Sequence, residues 1–476
     1  MLKKLLSSKN FIFISVNSLI ILFQILIISF FYEQMNQQIP LWYTKNWGLD
    51  VLAYKNNILV IPFVATLIII FSFLVLKISE KLLQFKIDSI IYFSATISNL
   101  VLTFSLVNII KKVTYSNLFF LDFVGTELLN SFFFSLILSL SLTPIFMNIF
   151  KKYGLITDPK KHQHPGMILK QPSVRGGGLI FALSFAITSL LYTKAVPINF
   201  AIIVATLLAA IIGVLDDVAN TSSNKKTKIF GNPIFRLLIL LPIPAAILSL
   251  SGINITNIGN PFSSESFNLN QFFWLPYLFT IIWILWIANL LSWSNGVDGQ
   301  YGGIVGVAGI VIAVLALRFI NISDRELDTA KMALICSGAA IGLIPFTLHP
   351  SKIMWGFGAT SAGVALAALS ILSVSKISIS ILVLLVPFMD GLITIIRRIV
   401  NKQNPFKGDR GHLHHLLLNR GWSVSQIALF YWTTTAILGL IAIYSSEKDL
   451  PLLVLTLGGV ISFGIIILNL KLDKRN

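Results

Sequence analysis

Fourteen apolar stretches, each near twenty residues long, limit the fold of this chain more than any other feature. They lie at roughly 11–31, 58–76, 89–110, 128–150, 177–193, 198–215, 233–251, 272–291, 303–320, 331–348, 354–373, 377–396, 425–444 and 452–470. A helix needs about 20 apolar residues to cross a bilayer's hydrocarbon core. Lipid offers backbone N–H and C=O groups no partner, so such stretches must satisfy one another as helices. The expected fold is all-α: a polytopic membrane helix bundle of about 14 transmembrane helices. Composition agrees, since 55% of the 476 residues are hydrophobic and only 12% are charged, against about 25% charged in soluble domains. The first stretch reads as a helix and not as a leader, because its apolar run is longer than a usual signal core and no small-residue cleavage site follows.

Charge gives the orientation. With Met1 placed inside, cytoplasmic connections and the span ends beside them hold 26 of the 36 Lys and Arg, and exterior ones hold 10. This bias sets both termini in the cytoplasm. Most of the net +17 then serves topology and contact with anionic headgroups, and nucleic acid is a poor reading of it. The single Cys336 lies in an apolar stretch and excludes a disulfide framework.

Four cytoplasmic connections carry nearly all the unusual residues: "KKYGLITDPKKHQHPGMILKQPSVRGGG", "LDDVANTSSNKKTKI", "SWSNGVDGQYGG" and "RRIVNKQNPFKGDRGHLHHLLLNRGWS". Five of the six histidines lie in the first and last of these, and His349 lies at another cytoplasmic end. Chemistry on one membrane face explains the clustering. The N-terminal part has three spans and no such cluster. The expected domains are therefore 1–127, a three-span extension of unknown role, and 128–476, the core.

Asp216 and Asp217 close the span 198–215. Adjacent helical side chains diverge by about 100°, so the pair cannot clamp one ion as equals. One is suited to a hard cation and the other to a substrate, unless the pair merely ends a helix. In "NLLSWSNGVDGQYGG", Asn289, Asn295 and Asp298 stand among glycines. Mg²⁺ takes one or two carboxylates together with substrate phosphates and water, which Asp298 with Asp216 or Asp217 would supply. A plain Asn-Gly/Asp-Gly turn is the alternative. In "GDRGHLHHLL", His412 and His415 share a helical face while His414 points away, so either the backbone is irregular or the three divide their tasks. Arg410 offers a planar fork for phosphate oxygens. A zinc site with His162 and His164 is the rival, without a nearby Cys or Glu to complete it. The Lys160, Lys161, His162, His164 cluster suits phosphate or, less specifically, lipid headgroups. Asp390 lies well inside a span and either reaches the site or pairs with a neighbouring helix.

Taken in order, the four loops resemble those of the polyprenyl-phosphate N-acetylhexosamine-1-phosphate transferase family, over about residues 128–476. "LITDPKKHQHPG…PSVRGGG" looks like its first cytoplasmic motif and "GVLDD" like its paired-Asp motif. "NLLSWSNGVDGQYGG" looks like its Asn-x-x-Asn-x-x-Asp-Gly-x-Asp-Gly stretch, and "RRIVNKQNPFKGDRGHLHHLL" is similar to its most diagnostic segment. The His-Leu-His-His form resembles the undecaprenyl-phosphate GlcNAc-1-phosphate branch. The resemblance implies an eleven-span core in a bacterial-type cytoplasmic membrane. It also implies transfer of a HexNAc-1-phosphate from a UDP-N-acetylhexosamine to polyprenyl phosphate, with release of UMP. Mg²⁺ is the implied cofactor, with Mn²⁺ as the alternative ion.

Carried over residue by residue, the resemblance implies that Asp298 and one of Asp216 and Asp217, with Asp217 the choice, hold the metal. The other Asp orients or deprotonates the lipid phosphate. Arg410, His412, His414 and His415 stabilise phosphates, Lys161 and His164 contact the lipid phosphate, and Asn289 and Asn295 bind substrate. Two positions depart: Ser292 stands for the family's second Asn and Asn295 for its first Asp, and Asn295 cannot act as a base at neutral pH. Two other readings stay open: a flippase for an anionic lipid-linked sugar, and a catalytically impaired scaffold. A homodimer is also left open.

Overall fold

The computed structural model describes residues 8–35, 37–41, 52–82, 88–113, 126–160, 171–221, 227–260, 262, 266–317, 323–373, 376–404, 409–446 and 448–473. Among these, helices dominate, and strands form three small sheets of two or three members. The chain divides into two compact units, Met1–Gly125 and Thr126–Asn476.

The first unit contains α1 (Ser8–Phe31), α2 (Val60–Leu82) and α3 (Asp88–Val113), with a hairpin of β1 (Gln38–Pro40) and β2 (Leu52–Tyr54). Large apolar side chains such as Phe23, Leu26, Phe63 and Phe71 face outward. Inside, polar groups pair across helices. Asn99 Nδ2 donates to Asn17 Oδ1 at 2.7 Å, Asn17 Nδ2 to Thr96 Oγ1 at 3.0 Å, and Gln24 Nε2 to Thr103 Oγ1 at 2.8 Å. Apolar outside and hydrogen-bonded inside is how helices associate in lipid, where burying apolar surface supplies no drive between them.

The second unit contains α4 (Thr126–Lys152), α5 (Gly177–Tyr192), α6 (Pro197–Thr221), α7 (Pro233–Leu250), α8 (Leu275–Trp293), α9 (Gln300–Ala316), α10 (Asp324–Thr347) and α11 (Ala359–Leu372). It continues with α12 (Lys376–Val383), α13 (Leu385–Val400), the short α14 (Leu413–Leu418), α15 (Val424–Tyr444) and α16 (Leu450–Asp473). Across the described residues, eight helices are long and apolar enough to cross a membrane. The bent pair α12–α13 makes up to nine, and five shorter apolar helices of 10–17 residues join them. This is an all-α, multi-pass membrane protein.

Helix α10 is buried at the centre. Small residues bring it close to its neighbours: Ser135 and Ser139 on α4 donate to the carbonyls of Ile335 and Ala339, both at 2.8 Å. Ser337 donates to Gly306 O of α9 at 2.7 Å. Close packing on small residues is the usual glue between membrane helices.

The stretch 377–396, expected as one straight span, turns by 87° at the break between α12 and α13. Pro387 has no N–H to continue the ladder and is tolerated only in a first helical turn, so a new helix starts here. The turn lets α13 bury Asp390, Thr394 and Arg398 while Ile396, Ile399 and Val400 stay exposed. Its polar face is the inner one, because that face meets the loop before α14.

Beside the hairpin of β5 (Asn257–Gly259) and β6 (Ser266–Asn268), one small sheet ties distant loops together. β3 (Ile156–Thr157), β4 (Ser173–Arg175) and β7 (Ile353–Met354) pair in the order β3-β4-β7. The parallel β4–β7 register sets Arg175 opposite Met354. The first polar loop is thereby fastened to the connection between α10 and α11.

Candidate functional site

The paired aspartates lie in the last turns of α6 and are almost fully buried. Each has its own cation. Asp217 Oδ1 accepts from Arg175 Nη1 at 3.1 Å and from the Phe357 N–H at 3.3 Å. Asp216 Oδ1 accepts from Arg236 Nη1, whose guanidinium lies 4.0 Å from the centre of the Phe357 ring. The divergence of adjacent helical side chains is realised as two separate ion pairs. Gly356, with φ +64°, closes the arrangement: a β-carbon there would collide with Asp217 Oδ2. Only glycine suits both that backbone and that approach.

The third polar loop meets the α10–α11 connection. Asp298 Oδ2 pairs with His349 Nδ1 at 2.7 Å and accepts from the Ser351 N–H at 3.1 Å. Trp432 Nε1 on α15 donates to the carbonyls of Gly299 and Gln300 at 3.2 and 3.1 Å, fixing the start of α9. Asn289 directs its amide to Leu285 O, one turn back on α8, at 2.8 Å. The Asn295 N–H closes a local turn on Ser292 O at 3.3 Å.

The fourth loop packs onto the third. A β-carbon on Gly296 would strike His414 Nε2, so the bare backbone there is what admits the imidazole. His412 is the extended N-cap of α14, with φ −69° and ψ 149°. Asp390 holds this end twice, accepting from the Leu413 N–H at 2.8 Å and pairing with His412 Nδ1 at 3.1 Å. The His412 and His414 rings stack at 5.6 Å, and those of His414 and His415 lie 4.3 Å apart. His414 does not point away, and of the two readings left open the irregular backbone is the one found. Helical spacing does not apply across His412, which is a cap and not a helical residue. Asp390 reaches the site by holding this cap.

Asp409 organises the approach to the histidines. It accepts from Arg397 Nη2 at 2.8 Å, Arg398 Nε at 3.0 Å and the Gly411 N–H at 2.9 Å. Burial alone would raise its carboxyl, but the Arg398 and Gly411 bonds and the two arginine charges hold it well below the usual range. Burial lowers His415 to about 4, helped by His412 and Arg410 and opposed by Asp390 and Asp409. Burial, with His415 and His412, also takes His414 well below the usual imidazole range. These two imidazoles are therefore neutral at pH 7 and act as hydrogen-bonding groups, not cations. Arg410 is exposed beside them. Lys161 and His164 lie outside the described residues.

The chain matches the family model described as Glycosyl transferase family 4 over residues 199–374. It is also similar to a relative from Bacillus subtilis (strain 168) named a probable undecaprenyl-phosphate N-acetylglucosaminyl 1-phosphate transferase. The two are 30% identical over 302 residues, which cover 62% of this chain and 78% of the relative. The chain belongs to the polyprenyl-phosphate N-acetylhexosamine-1-phosphate transferase family, glycosyl transferase family 4. It is a membrane phosphoglycosyl transferase. A phospho-N-acetylmuramoyl-pentapeptide-transferase from Bacillus pumilus (strain SAFR-032) is 24% identical over 326 residues, 65% of this chain and 94% of the relative. One from Carboxydothermus hydrogenoformans is 26% identical over 342 residues, 67% and 97%.

Several groups of the candidate site had no strong sequence signal. Arg236 hides in an apolar stretch, His349 and Ser351 stand in a short connection, Phe357 belongs to no pattern of chemistry-bearing residues, and Asp409 stands inside GDRGHLHHLL without a role assigned to it. Arg175 was visible beside its glycines, but its partner was not.

The residues also test the expected Mg²⁺. Among the described residues no group of three or more His, Cys, Asp or Glu is arranged to hold a metal ion. Mg²⁺ needs only one or two carboxylates with phosphates, so the individual acids decide. Asp298 fits: its side chain is 19% exposed. Asp217 does not. Its Oδ1 accepts from Arg175 and the Phe357 N–H, and its buried Oδ2, with Gly356 packed against it, has no hydrogen-bond partner. As placed, Asp298 is open to an ion carried with substrate phosphates, whereas Asp217 is committed to Arg175 and the Phe357 N–H.

Proposed function

We propose that this transferase moves an N-acetylhexosamine-1-phosphate from a UDP-sugar to undecaprenyl phosphate at the cytoplasmic face, releasing UMP. The observation that carries the reading is the meeting of the third and fourth polar loops, with Asp298 on His349 and His414 against Gly296. The similarity to relatives named for this type of transfer supports it. Fourteen crossings with both termini inside would set all four polar loops on that face. Residues 128–476 are the transferring core and 1–127 an extension of separate role.

In the proposed step, a lipid phosphate oxygen attacks the sugar-bearing phosphorus of the UDP-sugar. The new P–O bond forms as the bond to the bridging oxygen breaks, and UMP leaves with that oxygen and the electron pair. A phosphate dianion needs no general base, so no proton changes hands. The protein's work is positioning and charge stabilisation, the main terms in phosphoryl transfer. Arg410 takes phosphate oxygens in its fork. His412, oriented by Asp390, and neutral His414 and His415 complete the phosphate contacts. Asp298 holds His349 by Nδ1, leaving its Nε2 for the diphosphate. Asn289 and Asn295 border the donor pocket, and Lys161 and His164 guide the lipid phosphate. Asp216 and Asp217 fix Arg236 and Arg175. Mg²⁺ or Mn²⁺, if bound, would be held by Asp298 and would add positive charge beside the diphosphate.

The 87° bend beside Asp390 favours a second reading, a flippase, because broken helices with buried polar groups line transport sites. The test is UMP release from labelled UDP-N-acetylhexosamines by the purified chain with undecaprenyl phosphate. Release above that of an Asp298→Asn control supports the transferase. No release with any sugar overturns it.

A further inference from the structure

We infer that Arg175 and Arg236, in place of a divalent metal ion on the paired aspartates, supply the positive charge that receives the diphosphate. The inference deepens the phosphoryl-transfer reading and rests on it.

Charge balance comes first. Asp216 pairs with Arg236 and Asp217 with Arg175, so two carboxylates meet two guanidiniums. The charge of each carboxylate is already met by a guanidinium, so a hard dication there would have to compete with Arg175 and Arg236. Access comes second. The Asp216 and Asp217 side chains are 4% and 1% exposed, while those of Arg236 and Arg175 are 14% and 20% exposed. The anions are sealed and the cations reach the surface.

Donor capacity comes third. A guanidinium has five N–H donors. Arg175 uses Nε on Thr157 and Nη1 on Asp217. Arg236 uses Nη1 on Asp216 and lays its plane on Phe357. Each keeps N–H groups for phosphate oxygens, in the planar geometry that binds them two at a time. The backbone is built around both. The parallel β4–β7 pairing sets Arg175, and Arg236 opens a π-helical turn, Arg236–Leu240, inside α7. Such turns in helices frequently mark functional positions. The reaction gathers a diphosphate and a lipid phosphate, and arginine charge at the transferred phosphoryl group raises phosphoryl transfer by about 10³–10⁵ where it has been measured.

The experiment uses the full chain in detergent, stripped with EDTA. Mn²⁺ is titrated into the protein alone and followed by electron paramagnetic resonance, which needs no turnover. The expected result is the absence of any stoichiometric Mn²⁺ site that depends on Asp217. One Mn²⁺ per chain, lost in Asp217→Asn, overturns the inference whether or not the protein transfers sugar. UMP binding is then measured by calorimetry with EDTA and with Mg²⁺. Affinities within about twofold of each other are expected, with a loss of about tenfold or more in Arg175→Gln and Arg236→Gln and a smaller loss in Arg175→Lys. Binding that requires Mg²⁺ and ignores both arginines overturns it. If the Gln variants fail to fold, the wild-type Mn²⁺ and UMP titrations decide.

Discussion

Burying neutral imidazoles gives this protein a set pattern of acid sensitivity. His415 has a folded value of about 4 against about 6.5 for a free imidazole. Between those values the unfolded chain binds a proton that the folded chain refuses, so stability falls as pH drops from about 6.5 to 4. Asp409 works the other way round in range. Its carboxyl is held well below the ordinary value, so its contribution is present above about pH 4 and lost below. The thermal midpoint in detergent should be flat above pH 7, fall from about 6.5 to 4, and fall less steeply in His415→Gln. An equal slope in that variant would contradict the assignment. Asp390→Asn leaves one acceptor oxygen where His412 Nδ1 and the Leu413 N–H now use two, and should lower turnover about 10²-fold with little change in KM. At this scale the sequence was partly legible. Asp216, Asp217, Asp298 and the three histidines stand out because polar loops interrupt apolar runs, and the divergence of the Asp pair follows from helix geometry. Their partners were not legible, since a pair such as Asp298–His349 joins residues 51 apart and leaves no local trace.

Among the elements, the loop between β7 and α11 does the most positioning. Gly356 lets it lie on Asp217, and the Phe357 N–H and ring engage Asp217 and Arg236. Gly356→Ala combines a positive φ with a collision and should cost about 1–3 kcal/mol, read as a lower thermal midpoint together with reduced turnover. A variant matching wild type in both would mean the loop is not held there. Apolar length located the helices because a bilayer demands it. It did not reveal the α12–α13 bend, since Pro387 lies within an otherwise ordinary apolar run and the reason for turning, the buried face of Asp390, Thr394 and Arg398, is tertiary. The role of His414 was misdirected for a related cause: three-residue spacing presumes a helix that begins only at Leu413.

For the whole molecule, the two compact units carry a prediction of their own. The polar loops of the site lie in the unit Thr126–Asn476, so a chain beginning at Thr126 should retain transfer. Loss of activity with retained folding would give the first unit a part in the reaction. The all-α membrane class was legible from hydropathy alone, and the family from the order of four loops. The nature of the cations at the site was not, because it depends on which side chains reach the surface. The central claim is tested most directly by mass spectrometry of the lipid formed from undecaprenyl phosphate and a UDP-N-acetylhexosamine. The account predicts a lipid heavier by one N-acetylhexosamine phosphate, formed in step with UMP. A lipid gaining the sugar without its phosphate, or no new lipid with any of the UDP-sugars, would contradict it.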